Sequence, residues 1–91
     1  MTMTDIANPQ SAMIVYSREE CHLCQDMINA LQSMQKQSTF EFEVIDIDSD
    51  SQLISRYGER IPVLLAFKDG PEICHYHLDQ AALDAYLSII R

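Results

Sequence analysis

Residues 12–24 read Ala12-Met13-Ile14-Val15-Tyr16-Ser17-Arg18-Glu19-Glu20-Cys21-His22-Leu23-Cys24. The unbroken apolar run from Met13 to Tyr16 is the pattern of a strand covered on both faces, so Ala12 to Ser17 is read as a first strand. From Leu23 the apolar residues fall at Leu23, Met27, Ala30, Leu31 and Met34, while Gln25, Asn29, Gln32 and Lys36 take the other side. That spacing marks one face of an amphipathic helix. Two cysteines therefore sit where a strand gives way to a helix.

Downstream, Phe40, Phe42 and Val44 alternate with Glu41 and Glu43, and the apolar phase then flips to Ile45 and Ile47 against Asp46 and Asp48. This is a second strand, half exposed at its start. Strand, helix and strand with short links form a right-handed βαβ unit, so the two strands are parallel. Ser49 or Asp50 suits the cap of a short helix through Leu53, Ile54 and Tyr57, with Gly58 as its stop. Ile61 to Phe67 reads as a third strand opened by Pro62, and Asp69-Gly70 as the turn onto a fourth, Glu72 to His77. Leu78 and Leu83 have the spacing of a hydrophobic staple around Asp79, and Ala82, Leu83, Tyr86, Leu87 and Ile90 form the stripe of a last helix with Arg91 at its negative end. The order is β-α-β-α-β-β-α. Its mixed four-stranded sheet needs helices on both faces, which makes an α/β three-layer sandwich.

The bulk numbers fit one such domain. A chain of 91 residues with 47% hydrophobic content has one core and buries somewhat over ~60% of its unfolded surface. Residues 1–11 are small and polar with neither period, and are read as a flexible arm before a domain spanning 12–91. The arm lacks a basic start and an apolar stretch, and the longest apolar run, Ile61 to Phe67, falls far short of the ~18 residues of a span. A soluble, cytoplasmic, monomeric protein is expected, with no membrane partner. Net charge is −8, and Arg18, Lys36, Arg56, Arg60, Lys68 and Arg91 are scattered, which argues against nucleic acid. Three cysteines make an odd number, so a catalytic or metal role is favoured over a structural disulfide framework.

Residues three apart on a helix face the same way, with α-carbons about 5 to 6 Å apart, inside the window for a disulfide. Cys21 occupies the helix entry, where unpaired backbone N–H groups and the dipole favour a thiolate, lowering such thiols to roughly 3.5 to 7.5. Cys21 is thus the candidate nucleophile and Cys24 the resolving thiol. Arg18 helps the thiolate, Glu19 and Glu20 oppose it, and His22 as an imidazolium would stabilise it, against the plainer reading of a surface histidine. Pro62 lacks an N–H, which leaves Ile61 to present free backbone groups to an extended substrate.

Tyr16-Ser17-Arg18-Glu19-Glu20-Cys21-His22-Leu23-Cys24 resembles the entry motif of glutaredoxins, and Arg60-Ile61-Pro62-Val63 resembles that family's proline loop. From Ala12 onward the chain looks like the small bacterial glutaredoxin-like proteins. The resemblance implies a thioredoxin-like fold and a cis bond before Pro62 that packs on the dithiol. It further implies thiol-disulfide oxidoreductase activity in redox homeostasis and electron transport, no bound cofactor, and glutathione or a thioredoxin-type reductase as electron donor. Clients would be disulfide-containing proteins or small thiols. The family places acidic residues at the start of the last helix, which assigns Asp79 to substrate binding. The family's Gly-Gly pair is replaced by Tyr76 and His77, whose bulk opposes close approach of glutathione. Its active-site proline is replaced by His22, and the absence of tryptophan disfavours a thioredoxin proper.

Other residues have simpler readings. Cys74 is a small apolar strand residue or a third redox thiol. His75 and His77 share a strand face, so zinc on Cys21, Cys24 and one histidine is conceivable, but metal ligands are not assigned. Met27, Met34 and Tyr57 are core, and the acidic pairs Glu41/Glu43 and Asp46/Asp48 face solvent. A redox sensor and a metal- or partner-binding adaptor without turnover remain the alternatives.

Overall fold

The computed structural model describes residues 12–90. The expected N-terminal arm, residues 1–11, and Arg91 lie outside the described residues. Strand β1 spans Ala12–Ser17, helix α1 His22–Met34 and strand β2 Glu41–Asp46. A 3₁₀ turn at Ile47–Ser49 precedes helix α2, Ser51–Tyr57. Strands β3, Val63–Leu65, and β4, Glu72–His75, lead to helix α3, Gln80–Ile90. The sheet order is β2-β1-β3-β4. β1 and β2 are parallel, and β3 is antiparallel to both β1 and β4. This is the mixed four-stranded sheet expected from the element order, in the thioredoxin-like arrangement that the resemblance implies.

Alternation along β1 divides the interior into two layers. Met13 and Val15 join Met27 and Leu31 of α1, Leu64, Cys74, and Leu83 and Leu87 of α3 in one cluster. Ile14 and Tyr16 point the other way, to Ile47, Val63 and Leu65, with Leu53 and Tyr57 of α2 packed on them. β1 is therefore buried on both sides, which is why its sequence is continuously apolar. On the second side the Tyr57 ring stacks on Tyr16 at 4.7 Å, and Arg56 lies 5.4 Å over Tyr57.

Several boundaries differ from the sequence reading. β2 ends at Asp46, because the Asp46 carboxylate accepts the Asp48 N–H at 2.9 Å and bends the chain into the 3₁₀ turn that buries Ile47. β3 and β4 are shorter than expected, three and four residues. Pro62 has no N–H to extend the ladder, and a register shift beside Leu65 lets Ile73 and Cys74 pack on the same cluster. In the hairpin turn it is Asp69, with φ 63°, that enters the left-handed region. Gly70 is needed for space, since a Cβ there would meet the Phe67 ring at 2.5 Å. Gly58 likewise keeps an ordinary helical φ of −53°, and a Cβ would fall 2.6 Å from the Ile54 carbonyl oxygen. The expected cap of α2 is Asp50, which accepts the Gln52 N–H at 2.8 Å. Leu23, placed on the buried stripe by its spacing, is 37% exposed, and the stripe begins instead at Cys24.

Candidate active site

Register fixes where the site lies. Ser17 ends β1 opposite Asp46, and Tyr16 pairs with Val63, which pairs with His75. One residue beyond those pairs, Ser17, Pro62 and Tyr76 form a row at the sheet end from which the chain runs on through Arg18 to Cys21. Neighbouring strands lie about 4.8 Å apart, so this row spans roughly 10 Å.

Cys21 is the N-cap of α1, in extended conformation, and its Sγ accepts the Cys24 N–H at 3.1 Å. Residues with oxygen-bearing side chains usually fill that position; here a sulfur does. Cys21 is half-buried, while Cys24, one turn on, is 1% exposed. The two are joined as a disulfide with α-carbons 5.1 Å apart. One sulfur faces outward and is solvated by the helix start; the other is shielded behind it. Such a pair can cycle between dithiol and disulfide with the outer sulfur as its point of contact.

Arg18 turns its Nε onto both oxygens of Asp48, at 3.0 and 3.2 Å. It shares with Ser17, Cys24, Gln25 and Val44 a groove of about 260 Å³. Its charge near the dithiol is thus countered by a carboxylate thirty residues away in sequence. His22, the first residue of α1, is exposed. Pro62 is buried, the Ile61–Pro62 peptide is cis, and Ile61 is half-buried.

Asp79 precedes α3 and is exposed. Its carboxylate accepts the Ala82 N–H at 3.0 Å, capping α3. Cys74 is buried, and burial is the chief reason its pKa is raised; the charges of Asp79 and Glu72 add to the rise, against the lowering effect of the Asp79 N–H. Tyr16 is raised too, by burial first and then by Tyr57 and Asp69. His77 lies past the end of β4, so it does not share a strand face with His75. Among the described residues no three His, Cys, Asp or Glu side chains gather as metal ligands.

Two features escaped sequence reasoning. His75 Nδ1 lies 2.6 Å from Glu72 Oε2, and Glu72 also pairs with Arg60 of the proline loop. Tyr76 has φ 65° and sends its hydroxyl to the Glu59 carbonyl at 2.7 Å. The Arg60 and Tyr76 contacts cross between chain segments with no local sequence signal, and Glu72 and His75 are three apart on one strand, a spacing that alternation puts on opposite faces.

The protein-family model described as Glutaredoxin-like domain (DUF836) matches residues 12–88. Among solved structures, the solution structure of protein Ne2328 from Nitrosomonas europaea is 48% identical, with a TM-score of 0.74 over 82% of this chain and 88% of that one. The X-ray structure of target protein XcR50 from X. campestris is 32% identical, with a TM-score of 0.63 over 85% of this chain and 96% of that one. Thioredoxin 1 from Thermosipho africanus TCF52B, at 17% identity and a TM-score of 0.58 over 87% of this chain and 97% of that one, shares the fold. No curated protein matches the chain. A cysteine pair at the entry of the first helix, a four-stranded sheet ordered β2-β1-β3-β4 and a family match across nearly all the described residues converge, and the chain belongs to the glutaredoxin-like domain (DUF836) family.

Proposed function

We propose that this protein is a dithiol-disulfide oxidoreductase that reduces or exchanges disulfides through Cys21 and Cys24. The observation that carries the reading is the Cys21 sulfur at the start of α1, accepting a backbone N–H, with Cys24 buried one turn behind it. A sulfur there is most stabilised as an anion, so the thiolate is favoured over the thiol. The Cys21 thiolate attacks one sulfur of a client disulfide; a Cys21–client bond forms, the client S–S bond breaks, and the departing client thiolate takes a proton from water. Cys24, as thiolate, then attacks Cys21 Sγ, forming the Cys21–Cys24 disulfide and releasing the second client thiol. The protein loses two electrons and the client gains two. A small thiol such as glutathione, or a thioredoxin-type reductase, returns them by the reverse exchange.

The helix start acts on the Cys21 sulfur directly, through the Cys24 N–H, whereas the Arg18 charge is already engaged by Asp48. Arg18 is partly exposed and paired with Asp48, a setting in which ion pairs contribute only about 0.2–1 kcal/mol. His22, beside the nucleophile and exposed, would stabilise the thiolate in its imidazolium form. Ile61 and Pro62, at the same sheet end, form the platform for an extended client. Asp79, exposed and with one carboxylate oxygen on the Ala82 N–H, offers its other oxygen to substrate.

The test uses the reduced protein and a peptide disulfide recharged by dithiothreitol. Cys21→Ser abolishes turnover, and Cys24→Ser accumulates a protein–peptide mixed disulfide visible as added mass. Turnover surviving in Cys21→Ser, or a mixed disulfide forming at Cys74 instead, refutes the assignment. A wild-type protein inert toward every disulfide tried supports an adaptor role.

A further inference from the structure

The residue most at odds with its backbone is Tyr76. A bulky side chain at φ 65° is a true outlier. The His77 N–H bonds the His75 carbonyl at 2.7 Å, which makes Tyr76 the centre of a γ-turn of the rare, strained hand. Such strain persists only where surrounding contacts over-determine it, and it concentrates at working sites. Here the contacts are specific. The Tyr76 N–H donates to the Pro62 carbonyl at 2.8 Å, and its hydroxyl donates to the Glu59 carbonyl at 2.7 Å. Arg60, between those two, pairs with Glu72 of β4, which also holds His75, and the Tyr76 ring meets the His75 ring edge-on at 4.7 Å.

The segment Glu59–Pro62 is thus bolted to β4 at both ends and in its middle, with Tyr76 supplying both ends. Tyr76 stays 42% exposed, so its ring contributes little to the core. A residue that keeps a strained backbone without filling the interior is doing something other than packing. Its two bonds fix the orientation of the Ile61 and Pro62 backbone, at the sheet end shared with the dithiol.

Resting on the oxidoreductase reading, we propose that Tyr76 is a positioning residue for polypeptide clients. It holds the Glu59–Pro62 segment in the arrangement that receives an extended chain, and it has no part in the sulfur chemistry itself. Small disulfides, which need only Cys21, are indifferent to it.

The experiment compares two substrates, an eight-residue peptide carrying a mixed disulfide and 2-hydroxyethyl disulfide, in wild type, Tyr76→Phe and Tyr76→Gly. Tyr76→Phe removes only the bond to Glu59, and losing one such neutral bond raises KM for the peptide about threefold to tenfold with kcat unchanged. Rates with 2-hydroxyethyl disulfide stay at the wild-type value. Tyr76→Gly accepts φ 65° without strain and keeps the N–H bond to Pro62, so the turn still forms, while its KM for the peptide rises at least as far as that of Tyr76→Phe. Equal losses on both substrates, or no loss on the peptide in either variant, overturn the proposal. A wild-type protein inactive on both substrates instead overturns the oxidoreductase reading on which it rests.

Discussion

Leu23 and Leu31 lie on the same helix, and their spacing alone puts both on one apolar stripe; the structure separates them, and truncation measures the separation. Leu31 is fully buried between β1 and α3, whereas Leu23 is 37% exposed between the two cysteines. A buried Leu→Ala costs about 2–5 kcal/mol, the transfer of the lost carbons plus the cavity left behind. Taking about 3 kcal/mol, and roughly 4–8 °C per kcal/mol for a domain this small, Leu31→Ala lowers Tm by about 12–24 °C. A domain of this size holds only about 4–12 kcal/mol in all, so the variant keeps its fold with a reduced margin. Leu23→Ala lies within about 0.5 kcal/mol of wild type. The assay is urea unfolding of the oxidised proteins followed by far-ultraviolet circular dichroism, where the midpoint falls for Leu31→Ala at constant slope. A midpoint for Leu23→Ala as low as that for Leu31→Ala, or a Leu31→Ala loss below about 1 kcal/mol, refutes the helix orientation that buries Cys24.

Two further outcomes follow from single groups. Folding raises the pKa of Cys74 above its ordinary value of 9.0 and that of Tyr16 above 10.0, so the unfolded chain gives up these protons first and stability falls as pH climbs past about 9; Cys74→Ala flattens the start of that decline in pH-dependent melting, and an unchanged profile refutes the role of the thiol. Asp50→Ala removes the carboxylate that accepts the Gln52 N–H at 2.8 Å and costs about 1 kcal/mol. Because no residue of α2 is fully buried, the loss shows as faster amide exchange at Ile54 and Gly58, and unaltered exchange counts against the cap.

The parts legible from sequence are those whose cause is local. The run Met13 to Tyr16 announces a strand with two covered faces, and it has them. The cysteine spacing at a strand-to-helix junction places both sulfurs correctly, because helix geometry alone sets their separation. Asp50 as a cap needs only its neighbour's N–H. What stayed hidden depends on residues far away in the chain. Ile47 continues the alternation of β2, yet the Asp46 side chain ends the strand before it. Arg18 reads as a free cation near the dithiol until the fold brings Asp48 to it. Asp69 leaves Gly70 outside the left-handed region, because Gly70 is held against the Phe67 ring. The φ of Tyr76 is fixed by Glu59 and Pro62, and no propensity scale would place a tyrosine there.

The outer border of the sheet has its own consequence. β2 is a marginal strand, and among the described residues no strand lies beyond it. A marginal strand with free N–H and C=O groups is a template onto which another polypeptide can zip, the first step toward fibrils. Glu41, Glu43 and Asp46 are exposed along this border, so two copies meeting there would press three carboxylates of one against three of the other. Repulsion among those carboxylates opposes the pairing of two copies along this border.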